Sequence, residues 1–133
     1  MIGGCLCGAV RYRLASAPTD VGYCHCRNCQ LNSGAPAMVF GSVAVANWIV
    51  EQGANALRVH TSSEFGRRTF CGQCGTPLHF HDVRDTTLDL SIATLDQPGD
   101  HAPGYHIFTS SKIGWFDTAD QLPRHERARP KPA

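Results

Sequence analysis

Hydrophobic and polar residues along this chain alternate mostly with a period of two, in short runs broken by Gly, Pro, Asp and Ser. Residues 8–14 set Val10, Tyr12 and Leu14 against Ala9, Arg11 and Arg13, the pattern of a half-buried strand. Residues 21–24 predict a short strand leading into a group of cysteines. Residues 26–32 predict a single helical turn ended by Ser33 and Gly34. Strands follow at 36–43 and 47–52, the second closed by Gly53. Residues 57–61 and 67–70 read as a pair around a turn at 62–66. Residues 71–75, Cys-Gly-Gln-Cys-Gly, read as a tight turn. Residues 77–81 and 87–92 read as a hairpin around the polar loop 82–85, and residues 105–108 as a late strand after the loop 98–104. The expected fold is mainly β, with one short helical turn at the second cysteine cluster. A single domain over residues 1–122 is expected, followed by a charged, proline-rich and flexible tail over 123–133.

Composition narrows this picture. A chain of 133 residues suits one domain with a core of modest size. Its 13 Gly and 8 Pro, with 17% charged residues, favour turns and short elements over long helices. Twelve Lys and Arg against eleven Asp and Glu leave a net charge of +1. No basic stripe interleaved with aromatics marks a nucleic-acid surface. No apolar run approaches the roughly 20 residues needed to cross a bilayer. The start, Met1-Ile2-Gly3-Gly4-Cys5, lacks the basic and apolar regions of a signal peptide. A soluble, cytoplasmic protein without a nucleic-acid or membrane partner is expected. In a reducing compartment cysteines serve as metal ligands or reactive thiols rather than disulfides.

The seven cysteines fall into three groups. Cys5 and Cys7 form C-x-C; Cys24, Cys26 and Cys29 form C-x-C-x-x-C; Cys71 and Cys74 form a glycine-flanked C-x-x-C. The last has the form of a zinc knuckle, in which glycine permits positive φ while backbone N–H groups point at sulfur. A structural zinc takes four ligands, and Cys5 and Cys7, alternate residues of a slightly bent strand, can complete the set with Cys71 and Cys74. The rival reading of these four is a redox or free-thiol pair. Cys24, Cys26 and Cys29 remain. Three thiolates on zinc leave an open fourth position and a formal charge of about −1. Such a centre suits holding an incoming thiol as thiolate, ready to attack a carbonyl carbon. The rival here is a closed structural site completed by His25, His79, His81 or His106. His25 lies between two ligands, which turns it away from the metal.

The ordered segments GGCLCGAVRY, CHCRNCQLNSGAP, FCGQCGTPL and HIFTSSKIGWFD resemble the glutathione-dependent formaldehyde-activating family, which includes centromere protein V. The resemblance spans residues 3–122. It implies a small β fold of several coiled antiparallel sheets pinned by two zinc ions per chain. It places a structural zinc on Cys5, Cys7, Cys71 and Cys74 and a catalytic zinc on Cys24, Cys26 and Cys29. The second ion, with fewer ligands, is the one expected to be lost on purification. The implied activity is that of a carbon–sulfur lyase resembling S-(hydroxymethyl)glutathione synthase, with a glutathione-like thiol and a small aldehyde as substrates. The alternative is a non-catalytic zinc module that binds a protein or small molecule.

Glutathione carries two carboxylates, so a cationic contact is expected, and Arg27 and Lys112 are the candidates. Asn28, Gln30, Ser33 and Gly34 flank the three-cysteine cluster and are candidates for its mouth. His106 reads either as a proton carrier near the second zinc or as a satisfied structural histidine. Phe40, Trp48, Phe108, Trp115 and Phe116 are expected in the core or the pocket wall.

Overall fold

The alternation in the sequence becomes strands in the computed structural model, which describes residues 1–130. In order, they are β1 (Ile2–Gly4), β2 (Arg11–Leu14), β3 (Thr19–Cys24), β4 (Met38–Ala44), β5 (Trp48–Gln52), β6 (Leu57–Thr61), β7 (Gly66–Cys71), β8 (Pro77–Asp82), β9 (Thr87–Ser91) and β10 (His106–Ile107). One helix, α1 (Arg27–Ser33), follows the second cysteine cluster. The strands form two sheets. The small one has the order β1-β2-β5 and the large one β10-β3-β4-β9-β8-β7-β6. All pairings are antiparallel except β10 with β3, so the expected antiparallel sheets carry one parallel edge.

The two faces of the large sheet do different work. One face packs on the small sheet. There Val10, Tyr12 and Leu14 meet Val43, Leu78, Leu88 and Leu90 in one buried cluster. The other face carries Ser42, Asp89, Phe80 and Arg68, which lie in register across β4, β9, β8 and β7. Strand β9 states both faces in its sequence, Leu88 and Leu90 inward and Asp89 opposite. The core thus occupies one side of the sheet and leaves the other side to be built into a site.

Two local differences from the sequence expectation matter. Cys5 to Cys7 is a turn after β1 rather than a bent strand. Gly8 at φ 79 closes that turn, and its N–H bonds the Cys5 carbonyl at 3.1 Å. The second difference is at the C-terminus. A flexible tail is expected from residue 123, yet His106 N–H donates to the Pro123 carbonyl and Phe108 N–H to the Arg127 carbonyl. Residues 131–133 of that expected tail lie outside the described residues. Among the described residues, no helix is long and apolar enough to cross a membrane.

Candidate metal centre

Cys5, Cys7, Cys71 and Cys74 converge although 64 residues separate Cys7 from Cys71. The turn closed by Gly8 meets a second turn, at the end of β7, closed by Gly75 at φ 82. All four sulfurs lie within 4.8 Å of one another. Cys5 to Cys7 is 3.6 Å and Cys7 to Cys71 is 3.9 Å. Tetrahedral zinc with sulfur at about 2.3 Å spaces its ligands about 3.8 Å apart, so the set fits such an ion. Donors aim at the sulfurs as well: Val10 N–H reaches Cys5 Sγ at 3.3 Å. The Thr76 hydroxyl, 3.2 Å from Cys74 Sγ, and then the Thr76 N–H pull the Cys74 thiol down to about 5.

Cys24, Cys26 and Cys29 also lie within 4.8 Å of one another, with Cys24 and Cys29 sulfurs 3.4 Å apart. Strand β3 delivers Cys24. Cys26 is the N-cap of α1, and its sulfur accepts the Cys29 N–H at 3.3 Å. Gly34 in the left-handed region ends the helix, as its sequence position suggested. The buried Gln30 ties the segment down, donating to the His25 carbonyl at 2.9 Å and the Ser111 carbonyl at 3.0 Å. Contacts from Cys24 and then Cys29 hold the Cys26 thiol well below its ordinary value, while the contact with Cys26 pushes Cys24 far up. Among the described residues no histidine nitrogen or carboxylate oxygen joins the three sulfurs within that same 4.8 Å. A fourth ligand on a common zinc would have to sit about 4 Å from each.

The three sulfurs line a cavity of about 360 Å³. Phe40, Phe80, Ile107 and Phe108 give it apolar walls. Its polar lining includes Asn28, Ser42, Ser62, Arg68, Asp89 and Tyr105. Gly22 makes room here, because a Cβ on it would come within 2.4 Å of the Tyr105 ring. Arg129 stacks on Tyr105 at 4.0 Å and pairs with Asp20 at the rim. Burial, with Asp85 second, pushes the Asp89 carboxyl up to about 6.

His25 and His106 sit behind the cluster. His25 is buried and its Nε2 is 2.8 Å from His106 Nδ1. His106 Nε2 lies 3.2 Å from both carboxylate oxygens of Asp120 and 3.3 Å from the Thr118 hydroxyl. The parallel pairing of β10 with β3 brings these groups together across 81 residues. Neither histidine lines the cavity. Both act as buried links between the cysteine segment and the chain's end.

Of the residues expected from sequence to contact substrate, only Asn28 lines the cavity. Arg27 bonds Gln30 Oε1 at 3.1 Å, and Lys112 reaches the Ile113 carbonyl at 3.4 Å; neither side chain lines it. Ser33 instead bonds the Cys29 carbonyl at 2.7 Å. Phe40 and Phe108 form the expected wall, Trp48 packs on Tyr12, and Trp115 is exposed. Sequence reasoning missed Arg68, Asp89 and Tyr105. The alternation of β9 was the available signal for Asp89, a lone acid facing away from two core leucines.

Comparisons with known proteins identify a family and, separately, a shared fold. A family model described as glutathione-dependent formaldehyde-activating enzyme matches residues 1–111. An uncharacterized lyase of Schizosaccharomyces pombe is 32% identical over 129 residues, covering 84% of this chain and 92% of that one. A Halomonas elongata protein, provisionally named a glutathione-dependent formaldehyde-activating enzyme, is 30% identical over 126 residues, covering 86% and 78%. A crystal structure of a Rhodobacter sphaeroides protein shares the fold. Its TM-score is 0.63 at 21% identity, covering 93% of this chain and 99% of that one.

Proposed function

We propose, as the chain belongs to the glutathione-dependent formaldehyde-activating enzyme family, that it is a zinc-dependent carbon–sulfur lyase that adds a small thiol to a small aldehyde. Cys24, Cys26 and Cys29 would hold the catalytic zinc, and Cys5, Cys7, Cys71 and Cys74 a structural one. The observation that carries this reading is the trio of sulfurs on a cavity wall which, among the described residues, no histidine, carboxylate or further cysteine joins. Those three residues would hold a zinc ion with one open position, and its chemistry would be to acidify a bound thiol.

The chain's own residues do the rest. The cap and hydrogen bonds of α1 fix the sulfurs before substrate arrives. Arg68 lowers the cost of negative charge on Cys26 and Cys29. Phe40, Phe80, Ile107 and Phe108 exclude water, so an aldehyde entering there meets sulfur rather than solvent. In the addition an S–H bond breaks and an S–C bond forms. The carbonyl π bond opens onto oxygen, which ends up with the proton, and no oxidant or reductant is needed. Glutathione and formaldehyde are the first substrates to test. Seven free cysteines suit a reducing compartment such as the cytoplasm.

The test is exchange NMR with ¹³C-formaldehyde and glutathione on zinc-loaded protein. Wild type should accelerate adduct formation over the spontaneous rate and Cys26→Ser should not. Equal acceleration by both, or by neither, would remove the lyase reading; thiol binding without acceleration would favour a non-catalytic module.

A further inference from the structure

The cavity holds two charges that thiol capture does not use as a pair. Arg68, Phe80 and Asp89 stand side by side on β7, β8 and β9, on the face opposite the core. Arg68 is only 9% exposed, and its Nη1 has no hydrogen-bond partner among the described residues. A guanidinium cannot escape burial by losing its proton. Its carbon lies 4.9 Å from the centre of the Phe80 ring, so the head group extends over the residue between it and Asp89. Asp89, in turn, has neither a hydrogen bond nor an ion pair among the described residues, and it is not paired with Arg68. Its carboxyl is held up by burial and then by Asp85, against a smaller pull the other way from His81 and Arg68, neither of which bonds it.

Arg68 alone could serve as counter-charge to the anionic sulfurs. That role leaves Asp89 unexplained, because an acid in a cavity with thiolates repels them unless a cation enters. Two opposite charges, Arg68 buried and Asp89 half-buried, flank one gap without an ion pair between them and match a ligand that carries both signs close together.

We propose that this row is the head-group subsite of the thiol substrate, with Arg68 receiving a carboxylate and Asp89 an ammonium group. The thiol is then one that carries an α-amino-acid head. It rests on the thiol-capture reading above for its sulfur half only. The same head group occurs in free cysteine and at the γ-glutamyl end of glutathione. The apolar walls take the methylene carbons between head and sulfur.

The test is calorimetry on zinc-loaded, full-length wild type with glutathione, cysteine, 3-mercaptopropionate (no ammonium) and cysteamine (no carboxylate). Each missing charge should weaken binding at least about tenfold relative to cysteine. The tighter of cysteine and glutathione identifies the source of the head group. Arg68→Met should erase the difference between cysteine and cysteamine, and Asp89→Asn that between cysteine and 3-mercaptopropionate. Equal binding of all thiols by wild type overturns the proposal, with no variant needed. So does an Arg68→Met protein that weakens every thiol equally, for Arg68 would then serve the sulfur cluster alone. Charge preference without faster aldehyde addition leaves the subsite standing and removes the lyase reading; faster addition without charge preference does the reverse.

Discussion

Removing the two N-terminal sulfurs should cost far more stability than removing one from the second cluster. A metal on Cys5, Cys7, Cys71 and Cys74 closes a span of 64 positions from Cys7 to Cys71. One on the second cluster closes a span of only 5 positions, from Cys24 to Cys29. Loop-closure entropy, treated as for a cross-link, gives about 4 kcal/mol for the first and about 2 kcal/mol for the second. The first figure is a large share of a typical domain stability of roughly 5–15 kcal/mol. The perturbation is Cys5→Ser with Cys7→Ser, compared with Cys26→Ser. Cys7 is exposed and Cys26 only half-buried, so packing losses there are small; Cys5 is buried, and what its truncation costs in packing is the gap left between wild type and the double variant in chelator. The assay is urea unfolding with zinc and reductant, repeated with a chelator. The double variant should lose on the order of 4 kcal/mol and Cys26→Ser at most about half of that. With chelator, which strips both clusters, wild type and the double variant should converge to within that packing loss. Equal losses in the two variants would refute the reasoning, because loop length would then not govern what the metal contributes.

Two further outcomes follow from buried histidines. Burial, with His81 second, holds His79 down to about 4 against an ordinary 6.5. The unfolded chain therefore takes up a proton that the folded chain refuses, and stability falls as pH drops from about 6.5 towards 4, by up to about 3 kcal/mol. His79→Leu should flatten that limb relative to wild type; parallel pH curves would show that His79 is not the group. His106→Phe leaves His25 Nε2 and the Asp120 carboxylate without their shared partner. It should cost about 1–3 kcal/mol in a melt and weaken metal at the second cluster while sparing the first. Unchanged metal content at both clusters would show that the histidine chain does not position Cys24 and Cys26.

Most strands could be read directly, because their alternation reports a sheet with one face on a core. Tyr12 and Leu14 in β2, and Leu88 and Leu90 in β9, are examples. The helix at the second cluster was legible from Ser33 and Gly34, whereas the capping role of Cys26, read as part of the turn, was not. The grouping of cysteines was legible because sulfur count and ligand number leave few partitions. What the sequence could not reveal was which charges face those sulfurs. Arg27 is adjacent to the cluster in sequence but turns along the helix to Gln30. Arg68 is about 40 positions from Cys29 and reaches the cavity only through sheet order, which local periodicity does not encode. The His25–His106 contact is hidden for the same reason, since it depends on a parallel edge strand. The pairing of residues 123–127 with that edge was masked by a composition typical of loose tails.

The central claim is an open fourth position at the three-cysteine cluster, and zinc K-edge X-ray absorption on the two-zinc protein measures it most directly. With four sulfurs at one site and three at the other, the thiol-free protein should average about 3.5 sulfurs per zinc. Adding glutathione should raise this to about 4. A thiol-free protein whose second zinc already has a histidine nitrogen or a fourth sulfur, and whose spectrum does not change with glutathione, would contradict the account.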